Sequence, residues 1–333
     1  MKKTLIILIL LGALLWLLVM PAAVGAYLRT WVPDWLDELG VGDRSQFESG
    51  WFASDLTIAD ALTVDIQARH FPPLGLRWIN LGGQLSSPLS DQPFDLHGHL
   101  SLQGRSRFDI SGPNLAIDGD PRIGAGPVSL QLDQPLDATS TLTADIDQWV
   151  IEDTLDNALQ TERLEMTLSW RDLDDDHLRL SLVLSAAEPA ALGFQLTAEP
   201  VQREALAALI EGLQQFNQAP PDSTAQQFAM LTVASAWQQL ASAGMVIELG
   251  ELTLGPESRF TGRWDTNAGQ PVIQGQADQS GFVTNLTPII GLAAKVPPRE
   301  AETLLTAWLQ ALNERGWMTR TGDTLLFSYG ASE

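Results

Sequence analysis

Alternation between apolar and polar residues is the feature that most narrows the folds open to this 333-residue chain. Leu96, Leu100 and Leu102 share one face of an extended segment with Gly98, while His97, His99, Ser101 and Gln103 take the other. Val128, Leu130 and Leu132 repeat the pattern, and the clearest case is Leu164, Met166, Leu168 and Trp170 followed by Leu178, Leu180, Leu182 and Leu184. Side chains of a strand point to opposite faces in turn, so a period of two with one apolar face predicts antiparallel sheet, covered on one side and wetted on the other. Residues Asp172 to Asp176 supply a short acidic turn between the last two runs, which read together as a β-hairpin. Further strands are expected over Leu56 to Ile66, Leu74 to Leu81, Arg105 to Ile110, Thr141 to Ile151, Gly193 to Ala198, Val246 to Leu254 and Thr324 to Tyr329. A parallel α/β fold would follow each strand with a helix, and residues 50–198 lack that pattern.

Three helical segments interrupt the alternation late in the chain. Leu206, Leu209, Ile210, Leu213 and Phe216 form one stripe within Val201 to Gln218, which Pro220 and Pro221 end. Ser223 and Gln226 have the spacing of a capping box for a second helix through about Ala241. The third begins at Pro298, carries Leu304, Leu305, Trp308, Leu309 and Leu312, and stops at Gly316. The expected fold class is therefore β-rich α+β, a mainly antiparallel sheet with a helical hairpin and a C-terminal helix. The organisation reads as a β-rich region over 46–198, the hairpin over 199–243, and strands over 244–333 that include helix 298–315, in the same domain or as a second half-domain.

Between Thr4 and Leu28 no residue is charged, and Leu5 to Met20 is almost wholly apolar. At about 1.5 Å per residue such a run crosses a hydrocarbon core of roughly 30 Å as a helix. Residues 1–28 are thus expected to be a transmembrane signal-anchor and 29–45 a juxtamembrane segment. Lys2 and Lys3 precede the run, which by the positive-inside rule leaves the N-terminus in the cytoplasm and the body outside it. Tyr27, Trp31 and Trp35 suit the far membrane interface, where amphipathic rings anchor a helix. The alternative is a signal peptide cleaved after Ala26, which delivers the body to the same compartment. The expected location is the bacterial inner membrane, single pass, with a periplasmic body.

Behind the anchor stands Gly50-Trp51-Phe52-Ala53-Ser54, followed at once by an alternating run. Elementary considerations assign it packing: Gly50 permits a tight turn, and Trp51 and Phe52 bury apolar area where the sheet begins. The element, at Gly50, Trp51, Phe52 and Ser54, resembles the YdgA-like bacterial envelope proteins of unknown function, loosely related to the AsmA-like group. Ala307-Trp308-Leu309 through Gly316, then Gly322-Asp323 and a final strand, is similar to the way those proteins end. The resemblance implies a single-pass protein whose periplasmic sheet is elongated and curved, with a groove that shields lipid chains.

Charge and motif content exclude more than they assign. With 19 Lys and Arg against 41 Asp and Glu the formal charge is −22, so no nucleic-acid surface is expected. The chain has no cysteine, hence no disulfide or thiolate site. His97 and His99 share a strand face without further ligands in sequence, and Asp172 to Asp176 lacks the Gly and closing Glu of a calcium loop. No nucleophile elbow, phosphate loop or zinc-protease helix occurs, so no catalytic, metal or cofactor residue is named and no cofactor is expected. The reading is a non-enzymatic envelope protein whose partners are the membrane and a lipid or other apolar ligand in a sheet groove. Its rivals are a scaffold whose sheet face is plugged by its own helices, and an envelope hydrolase.

Overall fold

The structure, a computed structural model, describes the chain apart from residues 1–25, 27, 31, 35, 38–41, 51, 60–62, 71–76, 87–89, 91, 102–104, 118, 136–138, 188–190, 221–222 and 331–333. Lys2, Lys3, Tyr27, Trp31, Trp35, Trp51 and the expected anchor up to residue 25 lie outside the described residues. No helix among the described residues is long and apolar enough to cross a membrane. The chain forms two compact units, one of residues 1–117 and 124–146, the other of residues 118–123 and 147–333.

The first unit is an antiparallel meander. Its strands are β1 (Ser45–Ser49), β2 (Ala53–Ala59), β3 (Thr63–His70), β4 (Arg77–Ser86), β5 (Phe94–Ser101), β6 (Ser106–Gly112), β7 (Leu115–Ile117), the second half of β8 (Arg122–Ala125), β9 (Val128–Gln134) and the first part of β10 (Ser140–Glu152). Each of β1 to β6 pairs with the next, and β6 then pairs with β9 and β9 with β10. The run Leu56 to Ile66, expected as one strand, is instead two strands of a hairpin, with Leu56 opposite Ile66 and Ile58 opposite Val64. Described residues between 26 and 37 are helical, and Leu28, Val32 and Leu36 are buried against Ala68 and Ile79. Their spacing of four gives one apolar stripe, so Leu28, the last residue of the expected anchor, packs on the sheet.

The second unit carries the rest of β10, then β11 (Ala158–Asp172), β12 (His177–Ala186), β13 (Leu192–Gln202), α1 (Arg203–Gln218), α2 (Thr224–Ser242), β14 (Val246–Leu254), β15 (Arg259–Asp265), β16 (Val272–Asp278), α3 (Gln279–Ala294), α4 (Pro298–Glu314), β17 (Met318–Thr321) and β18 (Thr324–Tyr329). Strands β11 to β16 pair in chain order, and β18 lies between β16 and β17. The expected hairpin forms in register, with Met166 opposite Leu184, Leu168 opposite Leu182 and Trp170 opposite Leu180. Ser223 caps α2 by accepting the Gln226 N–H at 3.1 Å, as the spacing predicts. Helix α1 seats Ala205, Leu206 and Leu209 on Leu178, Ala198, Val201 and Met245. A Cβ on Gly212 would come within 3.0 Å of Val233 Cγ2, so α1 and α2 pack closely through small residues, with Ala229 and Ala236 buried.

Strands β15 and β16 and helix α3 are absent from the sequence-based expectation, and α3 is the one helix among them. It contains Gly281, Pro288 and Gly291 with five β-branched residues, a composition that opposes helix formation in isolation. Tertiary contacts hold it. Asp278 caps its start by accepting the Gly281 N–H at 2.8 Å. Near its end the buried Asn157 side chain donates to the Val296 carbonyl at 2.9 Å and to Asp153 at 2.7 Å. A Cβ on Gly291 would collide with the Asn157 amide. Gly291→Ala is therefore expected to destabilise the fold by about 1–3 kcal/mol, and Leu305→Ala, at a side chain with 0% exposure, by about 2–5 kcal/mol; urea midpoints of the two variants check both values.

Candidate functional site

A cavity of about 490 Å³ lies between α3 and α4 on one side and β14, β15, β16 and β18 on the other. Its floor begins with a glycine. Gly275 of β16 faces Phe260 on β15 and Phe327 on β18 in the strand register. Without a Cβ it lets the two rings meet across β16 with centroids 5.2 Å apart, edge to face, and a Cβ there would strike the Phe260 ring. Phe282 of α3 closes the triad at 5.7 Å from Phe260 and 5.5 Å from Phe327. Leu252 and Leu254 of β14 and Ile273 of β16 complete the sheet side, and Leu286, one turn after Phe282, completes the α3 wall.

The other wall is set by how α4 ends. Pro298 occupies its first turn, where a missing N–H costs nothing. At the far end the Trp317 N–H donates to the Leu312 carbonyl and the Gly316 N–H to Asn313, both at 3.0 Å, while Gly316 adopts φ +71°. This is a Schellman closure, in which a left-handed glycine turns the chain back so that the following residue touches the last helical turn. Leu312 and Trp317 thereby join Trp308 in lining the cavity. The Ser328 N–H donates to the Trp317 carbonyl at 2.9 Å and ties this corner to β18. Trp317 meets Tyr329 edge-on, with centroids 4.7 Å apart, and the Arg315 guanidinium carbon sits 5.0 Å from the centroid of a Trp317 ring.

None of the eleven lining residues is ionisable at neutral pH, and the lining is almost wholly carbon. Ile273 and Trp308 remain 38% and 49% exposed, which marks the open side. Among the eleven, the Tyr329 hydroxyl and the indole N–H groups of Trp308 and Trp317 are the polar side-chain groups. The arrangement offers an apolar volume within the roughly 300–1,000 Å³ typical of ligand sites. Among the described residues no group of three His, Asp or Glu stands close enough to hold a metal.

The residues singled out from sequence lie elsewhere. Gly50, Phe52 and Ser54 belong to the β1–β2 hairpin of the first unit, where Gly50 donates its N–H to the Ala53 carbonyl at 2.8 Å. Ser54 is buried, but Phe52 is 53% exposed, because it occupies the hairpin tip instead of a sheet face. The expectation that Phe52 packs into the start of the sheet is thus corrected. His97 is exposed and His99 half-buried on one face of β5. The acidic turn closes locally, with Asp174 accepting from the Asp176 and His177 N–H groups at 2.9 Å. Of the residues named on the C-terminal helix, Trp308 and Leu312 line the pocket, and the turn at Gly316 brings Trp317 beside them. Leu252, Phe260, Phe282, Trp317 and Phe327 were not singled out; Asp278 followed by Phe282, Leu286 and Ile290 at spacings of four was the available signal for the missing wall. Scanned against protein-family models, curated proteins and solved structures, the chain matches none.

The α3 wall has a pH dependence of calculable sign. Hydrogen bonds from the Ser280 hydroxyl and the Gly281 N–H, opposed by partial desolvation, hold the Asp278 carboxyl below its ordinary range. A carboxylate whose folded pKa is depressed stabilises the fold above its unfolded pKa and loses that contribution as pH falls through the folded one. The stability gap between the wild type and Asp278→Ala is therefore expected to be constant at neutral pH and to close below about pH 4, read from urea unfolding across that range.

Proposed function

We infer that the protein is an inner-membrane-anchored periplasmic component of a bacterial envelope that holds an apolar chain in the pocket beneath α3 and α4. The observation that carries this reading is the pocket itself, whose eleven lining residues are hydrophobic or aromatic and include two on the open side. Monomeric proteins fill such space with their own side chains unless a ligand does so, because a void forfeits dispersion contacts. Transfer of an alkyl chain into it is worth about 0.8 kcal/mol per buried CH₂. The uncharged run 4–28 behind Lys2 and Lys3 supports the anchor, and the resemblance at Gly50 to Ser54 supports the envelope setting. In the second unit the helices neither leave the sheet face bare nor fill it: α1 covers the end near β12 and β13, and α3 with α4 roofs a cavity.

An uncharged fluorescent hydrophobe such as N-phenyl-1-naphthylamine is expected to bind the full chain saturably at this pocket. Trp308→Glu, which sets a charge at the open side without touching the core, is expected to weaken that binding at least about tenfold while stability stays within about 0.5 kcal/mol. Unchanged affinity in this variant would remove the pocket as the site.

A second reading, an interaction scaffold, is favoured by one observation. Helix α2 carries no charged residue, and it exposes Phe228 and Leu231 at 65% each, with Met230, Trp237, Ile210 and Leu213 also exposed on the hairpin. Large exposed apolar side chains clustered on one element mark contact surfaces. On this reading Phe228→Ser with Leu231→Ser leaves hydrophobe binding intact and abolishes photocrosslinking to protein from position 230 in cells; retained crosslinking excludes the scaffold role for the hairpin.

A further inference from the structure

Six arginines of the described residues, Arg107, Arg163, Arg179, Arg203, Arg259 and Arg263, are paired with carboxylates. Arg315 is not. Among the described residues no carboxylate pairs with it; its neighbour is the Trp317 ring at 5.0 Å, and that ring lines the apolar pocket. The adjacent Glu314 carboxylate is engaged with the Gln310 amide at 2.9 Å. The chain beyond residue 28 carries 17 cations against 41 acids, so its field is negative. Among the described residues Arg105, Arg122, Arg171, Arg299 and Arg320 likewise have no carboxylate pair, and what sets Arg315 apart is that its guanidinium stands exposed over a ring that lines the pocket. A guanidinium against an aromatic face keeps planar donors for an external oxyanion, which it grips in the two-pronged geometry of carboxylates and phosphates.

We propose that Arg315 is the head-group contact of the pocket, and that the ligand is a single-chain amphiphile with an anionic head, its chain against Phe260, Phe282 and Phe327 and its carboxylate or phosphate at Arg315. The inference rests on the reading of the pocket as an apolar-chain site and adds the sign of the head. The Schellman turn is what makes it geometrically coherent. Arg315, Gly316 and Trp317 are consecutive, so the residue that closes the apolar wall and the residue that carries the charge are fixed by one backbone conformation. Every anion approaching this protein meets net repulsion, so discrimination in favour of an anionic head depends on this cation.

The test uses the full chain in amphipol and four ten-carbon probes with a diazirine at the chain end and a carboxylate, phosphate, alcohol or ammonium head. Labelled peptides are mapped by mass spectrometry. The carboxylate or the phosphate probe is expected to label residues 273–286 and 308–329 about tenfold more than the alcohol at low salt, and less so as salt rises. Arg315→Gln is expected to bring anion labelling down to the alcohol level with the alcohol unchanged, and Arg315→Glu to favour the ammonium probe. Equal labelling by anions and alcohol, untouched by either variant, overturns the assignment of Arg315 while leaving the apolar pocket standing. Absence of labelling there by all four probes overturns the pocket and the head-group contact together.

Discussion

The seating of α3 on the sheet is the constraint on which the pocket depends. An uncharged helix containing Gly281, Pro288 and Gly291 has too little intrinsic propensity to stand alone, since a short isolated helix is marginal even with good formers. Asn157 fixes its far end. The amide is 1% exposed, and it reaches both Asp153 beside it in sequence and the Val296 carbonyl just past the helix. Desolvation would raise the Asp153 pKa, but the Asn157 side chain and the N–H groups of Asn157 and Leu155 outweigh it and hold the carboxyl below its ordinary range. The helix can approach this anchor only because Gly291 has no Cβ. Were α3 to slide by one turn, Phe282 would leave the aromatic triad and the cavity would lose a wall.

Much of the sheet was legible because a one-sided antiparallel sheet writes its register into sequence. The pairing of Met166, Leu168 and Trp170 with Leu184, Leu182 and Leu180 follows from alternation on both sides of a short acidic turn. Helix ends were legible where local chemistry sets them, at Ser223, Pro298 and Gly316. Alternation fails to separate a strand from a hairpin when the phase is preserved through the turn. Leu56, Ile58, Val64 and Ile66 keep one parity although the chain reverses between Ala59 and Thr63, so one long strand was expected where there are two. Helix α3 was missed for the opposite reason: its stability is tertiary and its composition argues against it, which outweighed the spacing of four from Asp278 through Phe282, Leu286 and Ile290.

The pocket itself could not be read from any linear pattern. Its lining comes from six elements and from the turn after α4, and its floor depends on a glycine whose neighbours are cross-strand. Phe260 and Phe327 are 67 residues apart in sequence and meet only because β16 lies between β15 and β18 with Gly275 at the level of both rings. The same device appears in the first unit: Phe108 lies over Gly98, and Phe94 over Gly112. An aromatic ring covering a cross-strand glycine shields backbone that no side chain would otherwise cover. Its recurrence identifies Gly275 first as a structural feature, which α3 then converts into the floor of a cavity.

The strong negative charge bears on these apolar features more than on the fold. A chain with exposed Phe228, Leu231 and Trp308 beside an apolar pocket carries surface that drives association. Repulsion between bodies each carrying about −24 opposes that association, and it acts over a screening length of roughly 8 Å at physiological ionic strength. It does not oppose an uncharged chain entering the pocket, because transfer of alkyl surface involves no charge. Acidity distributed over strand faces, turns, α1 and α4, with none on α2, α3 or the pocket lining, therefore separates two tasks that a neutral protein would confuse: staying apart from its own copies, and keeping an apolar surface available to something else.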